Sequence, residues 1–266
     1  MPPLSIFIIA QNEYDRIGHT IAAARSLSDD IVVVDSGSTD GTQGVAEALG
    51  ARVIFNPWPG YGQQKRFAEE QCRHDWLLNL DADEVLPADL VAEIATLFQA
   101  GAPAADAYKM RIAEIFPGEK APHRFAYTLS PVRLYRKSKG RYSPSPVHDR
   151  VDLSPGTKVG KLKGTIHHFS VRSLGEQMDK LNAYSDAQAD DLDARGATVS
   201  AFRLVAEFPA NFGRRHALRG LYGFMTAMNY AFYRYLRAAK HWERRLRRDA
   251  GITPAGDSIG KRPGDG

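Results

Sequence analysis

The sequence predicts an α/β protein with a Rossmann-like, mostly parallel central sheet that is flanked by helices and followed by a helical C-terminal extension. Three apolar runs without turn residues predict strands buried on both faces: LSIFIIA at 4–10, IVVV at 31–34 and WLLNL at 76–80. Stretches of helical character separate these runs, and strands that alternate with helices favour parallel βαβ units. Polar residues follow each run, and ligands of such sheets bind beyond the carboxyl ends of the strands.

Further elements of the first hundred residues alternate with the three runs. Gly50 is a typical stop for a helix that precedes it, and the apolar spacing indicates the remaining helices. We therefore expect helices over 13–26, 42–49, 63–72 and 88–99, and a short strand at 52–55.

The pattern changes after residue 100, where loops rich in proline, glycine and aromatic residues lie between the predicted strands. Ser173 and Glu176 have the spacing of a capping box, which predicts a helix from there to about residue 195. A segment rich in Phe, Tyr, Met and Arg follows Pro209, and a glycine- and proline-containing tail begins near residue 251. The strands of this half are expected at 108–115, 132–136 and 165–169.

The composition is that of an ordinary globular protein, with 25% charged and 43% hydrophobic residues in a chain of 266. The single cysteine, Cys72, permits no internal disulfide, which suits a reducing cytosol. Neither a signal peptide nor an apolar run of about 18 residues is visible, so we expect no membrane-spanning helix. The net charge of +4 conceals a basic region, because residues 201–250 hold eleven Lys or Arg against three acids.

Three carboxylates follow the third apolar run within four residues: Asp81, Asp83 and Glu84. Carboxylates are costly to bury without a partner, and a divalent cation that carries a substrate diphosphate would supply one. Mg²⁺ is commonly held by one or two carboxylates together with phosphate oxygens. The alternative is an acidic turn at the end of a strand, which would bind no metal.

Three segments together resemble the signatures of the family-2 glycosyltransferases: IAQNE at 9–13, VDSGSTDGT at 34–42 and LDADE at 80–84. The resemblance implies the GT-A fold and an inverting, metal-dependent transfer of a sugar from a nucleotide-sugar donor. More narrowly, the chain is similar to the lipopolysaccharide core β-1,4-glucosyltransferase group at 60–67, 76–84, 147–149, 167–170 and 180–185. That likeness implies UDP-glucose as the donor and a lipid-linked core oligosaccharide as the acceptor.

The same resemblance implies roles for the candidate residues. Asp35 would bind the nucleotide base, and Asp83 would hold Mg²⁺ or Mn²⁺, whereas Glu84 is expected to support the turn. The structural alternatives are an Asx turn at Asp35, compensation of the helix dipole by Glu13 and a solvated helix face at 64–66. The donor-binding set is Asn12, Glu13, Asp35, Gln64, Lys65 and Asp81, and the metal ligands are Asp83 and Asp81.

Asp149 is the candidate catalytic base, because it follows His148 where the similar group has a His-Glu pair. An inverting displacement needs a base that takes the proton of the acceptor hydroxyl, and His148 would orient the carboxylate. The alternative is a salt bridge from Asp149 to Arg150. A histidine pair at 167–168 also suggests a metal site, but adjacent strand residues point to opposite faces, so at most one can face the site.

We expect three regions in the chain: a GT-A catalytic domain over 1–170, a helical basic extension over 171–250 and a disordered tail over 251–266. The nucleotide-binding half of the catalytic domain would be 1–100 and the acceptor half 101–170. In the extension, arginines interleave with aromatic and aliphatic residues, which fits an interfacial helix on an anionic membrane surface. A helix docked on the protein with a solvated basic face is the alternative.

These expectations describe a cytoplasmic protein that is peripheral on the inner face of the cytoplasmic membrane and has no nucleic-acid partner. Two other functions share parts of the pattern. A polyprenyl-phosphate sugar transferase would share the N-terminal signatures and form a lipid-phosphate-linked sugar. A nucleotide-sugar-binding or membrane scaffold protein would neither hydrolyse nor transfer the donor.

Asp149→Asn should lower turnover about 10²–10⁴-fold, the usual contribution of acid–base catalysis, because the amide cannot accept the proton of the acceptor hydroxyl. Donor binding, measured by calorimetry, should remain unchanged because the variant is nearly isosteric. Near-normal turnover in this variant would place the base elsewhere, with Glu114 and Asp152 the next residues to substitute.

Overall fold

The computed structural model describes residues 3–99, 101–145, 150–212 and 218–252. The chain divides into two compact units, Met1–Ser170 and Val171–Gly266. The first unit contains β1 (Leu4–Ala10), α1 (Ile17–Ala24), β2 (Asp30–Asp35), α2 (Thr42–Ala48), β3 (Arg52–Phe55), α3 (Tyr61–Gln71), β4 (Trp76–Asp81), β5 (Glu84–Val85), α4 (Ala88–Gln99), β6 (Ala107–Glu114), β7 (Thr128–Leu129), β8 (Val132–Arg136), β9 (Gly140–Tyr142), β10 (Val151–Leu153) and β11 (Val159–His168).

One mixed sheet organises this unit, with the strand order β3-β2-β1-β4-β8-β6-β11-β5 and with β7 paired to β6. β3, β2, β1 and β4 are mutually parallel, as the alternation of strands and helices predicts. β8 runs antiparallel to both β4 and β6, and β11 is parallel to β6. The sheet and its flanking helices confirm the predicted α/β, GT-A-type fold class.

The continuous apolar runs form strands because both faces of the sheet are covered. In β1, Ile6 and Ile8 face one core with α1 and α4, whereas Phe7 and Ile9 face a second core with α3. All seven residues of β1 are buried. Each fully buried aliphatic or aromatic side chain contributes roughly 1.5–3 kcal/mol relative to exposure, so the central strands hold the sheet together.

Several elements differ from the sequence prediction. α1 begins at Ile17 rather than at residue 13, because the residues before it form a turn. β11 extends over ten residues rather than the five predicted. Strands β5, β7, β9 and β10 were not predicted, since segments of two or three residues are too short to show periodicity.

The second unit is helical, with α5 (Leu174–Ala194), α6 (Ala201–Phe212) and α7 (Gly220–Asp249). The side chain of Ser173 accepts a hydrogen bond from the backbone N–H of Glu176, which confirms the predicted N-cap. In the part of the chain that the structure describes, none of the helices combines the length and the apolar character needed to span a membrane. The predicted tail lies almost entirely outside the described residues.

Much of the basic charge of α7 is neutralised within this unit. Acidic side chains of α5 lie beside basic side chains of the second half of α7 and form ion pairs that follow one another at one-turn intervals. We call these pairs the charge ladder: Lys240–Asp186 at 2.8 Å, Arg244–Asp190 at 2.5 Å and Arg248–Asp193 at 2.7 Å. The ladder favours a packing role for these three basic side chains over the lipid-binding role that the number of cations in α7 suggests.

Candidate active site

The carboxyl ends of the three central strands meet at one edge of the sheet. Ala10 of β1 lies opposite Asp35 of β2, and Ile9 lies opposite Asp81 of β4. The polar residues that follow each strand in the sequence are therefore neighbours in space. We call this region the strand-end edge.

Asp35 organises the loop that follows β2. One of its carboxylate oxygens accepts hydrogen bonds from the backbone N–H groups of Gly37 and Ser38, each at 2.9 Å. The other accepts from the Ser38 hydroxyl at 2.5 Å. Burial raises the pKa of Asp35, but the hydrogen bonds from Ser38 and its neighbours outweigh burial and leave the pKa below its usual value. These contacts match the Asx-turn alternative, and the base-binding role of Asp35 stays a prediction.

Asn12 and Glu13 join the turn after β1 to the same loop. Asn12 adopts the left-handed conformation with φ of 57°, and its side-chain oxygen accepts from the backbone N–H of Thr39 at 2.9 Å. The N–H of Glu13 donates to the Thr42 hydroxyl at 2.8 Å. The carboxylate of Glu13 lies 2.5 Å from the Arg16 guanidinium, so it is engaged by a cation at the edge of the site.

α3 brings two of its predicted donor residues to the strand-end edge. The side chain of Gln64 is buried and donates to the Ser36 hydroxyl at 3.0 Å. The Lys65 ammonium is also buried and lies 2.8 Å from Asp81. Arg66 does not join them, because it is partly exposed and lines a separate cavity. The solvated-face alternative is therefore wrong for Gln64 and Lys65.

Gly62 permits an unusually close approach between α3 and the segment before the predicted base. A Cβ at this position would lie 2.0 Å from the backbone oxygen of Ser143, so only glycine fits. The N–H of Gly62 donates to the backbone oxygen of Ser145 at 3.0 Å. Asp149 and His148 follow this segment and lie outside the described residues.

A buried guanidinium holds the acidic cluster. Arg133 of β8 lies 3.0 Å from Asp81 and 2.8 Å from Glu84, and it also donates to the side-chain oxygen of Asn79. Arg133 and Lys65 outweigh the effect of burial and hold the pKa of Asp81 well below its usual range, whereas burial raises the pKa of Glu84 to about 7. Glu84 accepts from the backbone N–H of Asp81 at 2.9 Å, which confirms its predicted role in the turn.

Asp83 points away from this network and pairs with His168. One carboxylate oxygen lies 3.3 Å from Nε2 of His168, and the other lies 3.5 Å from Arg16. Burial alone would lower the pKa of His168, but its hydrogen bond and charge interaction with Asp83 raise it to about 9. His168 reaches Asp83 because β11 pairs with β5 next to Asp83. Of the two adjacent histidines, His168 is the one that contacts the site.

The pair Asp83 and His168 fits a divalent cation that also binds the substrate. It would offer one carboxylate and, after His168 releases its proton, one imidazole nitrogen. The remaining ligands of the cation would come from phosphate oxygens and water. Within the described residues, no group of three or more His, Cys, Asp or Glu side chains could hold a metal by itself. Asp81, the second predicted ligand, is engaged by Lys65 and Arg133. A cavity of about 400 Å³ opens beside Asp83 and is lined also by Arg16, His19, Val85 and Phe169.

Residues 5–161 match the model of glycosyl transferase family 2, which places this protein among the glycosyltransferases. Two curated relatives extend the match over most of the chain. An uncharacterized glycosyltransferase of Rickettsia prowazekii (strain Madrid E) is 38% identical over 253 residues, which cover 90% of this chain and 87% of the relative. The chain therefore belongs to glycosyl transferase family 2, which confirms the resemblance.

A second relative has a more specific name. The lipopolysaccharide core biosynthesis glycosyltransferase LpsC of Rhizobium meliloti (strain 1021) is 34% identical over 262 residues, which cover 91% of this chain and 93% of LpsC. Solved structures are more distant: residues 1–349 of TarS from S. aureus are 15% identical, with 92% and 91% of the two chains covered and a TM-score of 0.47. The family assignment rests on the sequence relatives.

Arg133→Met should lower the free energy of unfolding by about 3–5 kcal/mol, because removal of one partner leaves buried carboxylates without their counter-charge. Arg136→Met is the matched control on the same strand. Its side chain is 31% exposed and its guanidinium lies 3.5 Å from Asp75, and such pairs typically contribute about 0–1 kcal/mol. Urea denaturation followed by circular dichroism measures both variants, and equal losses would contradict the assignment.

Proposed function

We propose that this protein is an inverting glycosyltransferase that moves a hexose, glucose from UDP-glucose, to a lipid-linked core oligosaccharide in lipopolysaccharide biosynthesis. The observation that carries the proposal is the pairing of Asp83 with His168 beside the converging strand ends. The similarity to LpsC over most of both chains supports the acceptor class.

The donor is proposed to bind along the strand-end edge. The loop after β2 and the turn at Asn12 offer the polar groups for the nucleoside, with Asp35 at the base and Glu13 at the pocket wall. Gln64 and Lys65 approach from α3, and Asp81 lies where the ribose is expected. The diphosphate would then lie toward Asp83, where Mg²⁺ or Mn²⁺ supplies electrostatic stabilisation of the departing group. An imidazole ligand favours Mn²⁺ of the two.

The transfer itself is an in-line displacement at the anomeric carbon. Asp149, in our proposal, takes the proton of the acceptor hydroxyl. The hydroxyl oxygen then forms a bond to the anomeric carbon on the face opposite the diphosphate, and the bond from that carbon to the diphosphate oxygen breaks. The contact between Gly62 and residues 143–145 supports this role, because it fixes the chain just before Asp149 against the helix that carries Lys65.

A lipid-linked acceptor requires access to a membrane surface, and we propose that α7 provides it through apolar side chains. Its first half exposes residues spaced three or four apart, which is one face of a helix. We call them the apolar stripe: Leu221, Met225, Met228 and Phe232, exposed by 76%, 43%, 39% and 38%. Since the charge ladder engages several cations of the second half, the stripe rather than the arginines should dominate binding at the inner face of the cytoplasmic membrane.

Asp83→Asn should remove the increase in UDP-glucose affinity that Mn²⁺ or Mg²⁺ produces, because the amide is a weaker ligand for a hard cation. Calorimetry with and without metal measures this, and a metal effect of normal size would contradict the assignment. Asp29→Asn is the control, since Asp29 is exposed and lies just before the opposite end of β2.

Product analysis tests the function itself: a lipid-phosphate-linked sugar would identify a polyprenyl-phosphate sugar transferase, and absence of both transfer and donor hydrolysis would indicate a binding protein.

Leu221→Ser combined with Met225→Ser should lower co-sedimentation with anionic vesicles about tenfold or more, because each buried aliphatic side chain contributes roughly 1.5–3 kcal/mol. High salt should release only part of the wild-type protein, since screening acts on charges and not on apolar contacts. Val159→Ser, an exposed aliphatic position in the first unit, is the matched control. Wild-type protein that stays in the supernatant at low salt would contradict the membrane proposal.

A further inference from the structure

A second cavity of the first unit, of about 300 Å³, lies between α3 and the β9–β10 hairpin. It is separate from the strand-end edge, and Tyr142 stands between the two. The Lys65 ammonium lies 5.3 Å from the centre of the Tyr142 ring, while the same tyrosine lines the cavity. The next residue of the helix, Arg66, lines the cavity instead of the edge.

The lining of this cavity is strongly basic. Arg66, Lys137 and Arg141 contribute three cations, and Asp152 contributes the one acid among the residues that line it. Asp152 is itself engaged, because its carboxylate lies 3.0 Å from the Arg150 guanidinium. A concave surface lined mainly by one sign of charge concentrates ions of the opposite sign.

The acids next to the cavity are satisfied by other partners. The Asp75 carboxylate accepts from the backbone N–H of Ser138 at 2.9 Å and from its hydroxyl at 3.1 Å. Glu70 lies 2.5 Å from Arg141, and Glu69 is buried beneath, where it accepts from the Tyr135 hydroxyl. Of these acids, Glu70 and Glu69 lie within 4.0 Å of a cation of the cavity, Arg141, and Glu69 also has a weaker charge interaction with Arg66.

Arg66 and Lys137 are therefore the two cations of the cavity that form no close ion pair with a described carboxylate. Across the described ranges of the chain, no carboxylate lies within 4.0 Å of either side chain. A guanidinium and an ammonium that share a cavity match the oxygens of a phosphate or a carboxylate group. The volume lies at the lower end of the range for small-molecule sites, which suits one charged group with part of a sugar rather than a whole sugar nucleotide.

The position of the cavity indicates which substrate carries this group. Pro144 lines it, and the N–H of Ser143 donates to the backbone oxygen of Arg150 at 2.8 Å. The sequence between Ser143 and Arg150 includes Asp149, the proposed base, which acts on the acceptor hydroxyl. We infer that Arg66 and Lys137 bind a phosphate or carboxylate group of the acceptor. This inference rests on the proposed function. It adds that the acceptor carries an anionic group and that Arg66 and Lys137 recognise this group.

Inorganic phosphate and acetate are the probes for the site itself, titrated into the full ¹⁵N-labelled chain. Phosphate should shift the backbone amide signals of Gly140 and Ser154, which line the cavity, in a saturable way. Arg66→Gln combined with Lys137→Gln should weaken this binding about tenfold or more, because both charge-assisted contacts are lost. Lys161→Gln, an exposed lysine on β11, should change it less than about twofold. Unshifted cavity amides, or equal affinity in the double variant, would overturn the inference.

A core oligosaccharide freed of lipid tests the link to the acceptor, used before and after phosphatase treatment or carboxyl reduction. The double variant should raise KM for the untreated acceptor about tenfold and leave KM for UDP-glucose unchanged. The treatment that removes this difference identifies the source of the anion. An unchanged KM for the acceptor would overturn the inference even if phosphate binds. Absence of transfer by the wild type would instead refute the proposed function. If the double variant does not fold, Lys137→Gln alone, which removes a surface charge, replaces it in both experiments.

Discussion

One buried guanidinium, that of Arg133, determines the arrangement of the strand-end edge. It compensates Asp81 and Glu84 together, so two carboxylates can lie three residues apart at the end of a strand buried on both faces. Asp81 in turn holds Lys65 and with it the start of α3. Asp83 forms no ion pair with Arg133 or Lys65 and pairs with His168 instead. A chain without Arg133 would leave Glu84 buried without its counter-charge and Asp81 with Lys65 alone, at a cost of several kcal/mol.

The sequence was sufficient to predict the features that depend on local patterns. The apolar runs of β1, β2 and β4 required a buried sheet, and parallel strands bring their carboxyl ends together, so the polar residues that follow them had to converge. Arg133 could not be predicted, because it lies in a strand that reads VRLYR and nothing local shows that its side chain is buried. The partner of Asp83 was also hidden, since the β5–β11 pairing depends on a strand of two residues.

The C-terminal unit shows a different limit of sequence reading. The density of basic residues in α7 is plain in the sequence and suggests an anionic partner outside the protein. The structure supplies that partner in large part from α5, whose acids occur at helical spacing some fifty residues earlier. Charge counts along a chain do not reveal such internal compensation, whereas exposed apolar side chains on the same helix remain available for other contacts.

The charge ladder has a consequence for how α5 and α7 find their alignment. Its rungs repeat at one-turn intervals, so a slip of the two helices by one turn would re-form most of the pairs, and the ladder alone leaves the register degenerate. The register must therefore be set by polar side chains whose partners do not repeat from turn to turn. The buried imidazole of His241 bridges Asp193 at 2.9 Å and the backbone oxygen of Ala197 at 2.8 Å, and Asn229 lies 3.0 Å from Gln177 near the other end. The contacts of these two polar side chains therefore specify one register of α5 against α7.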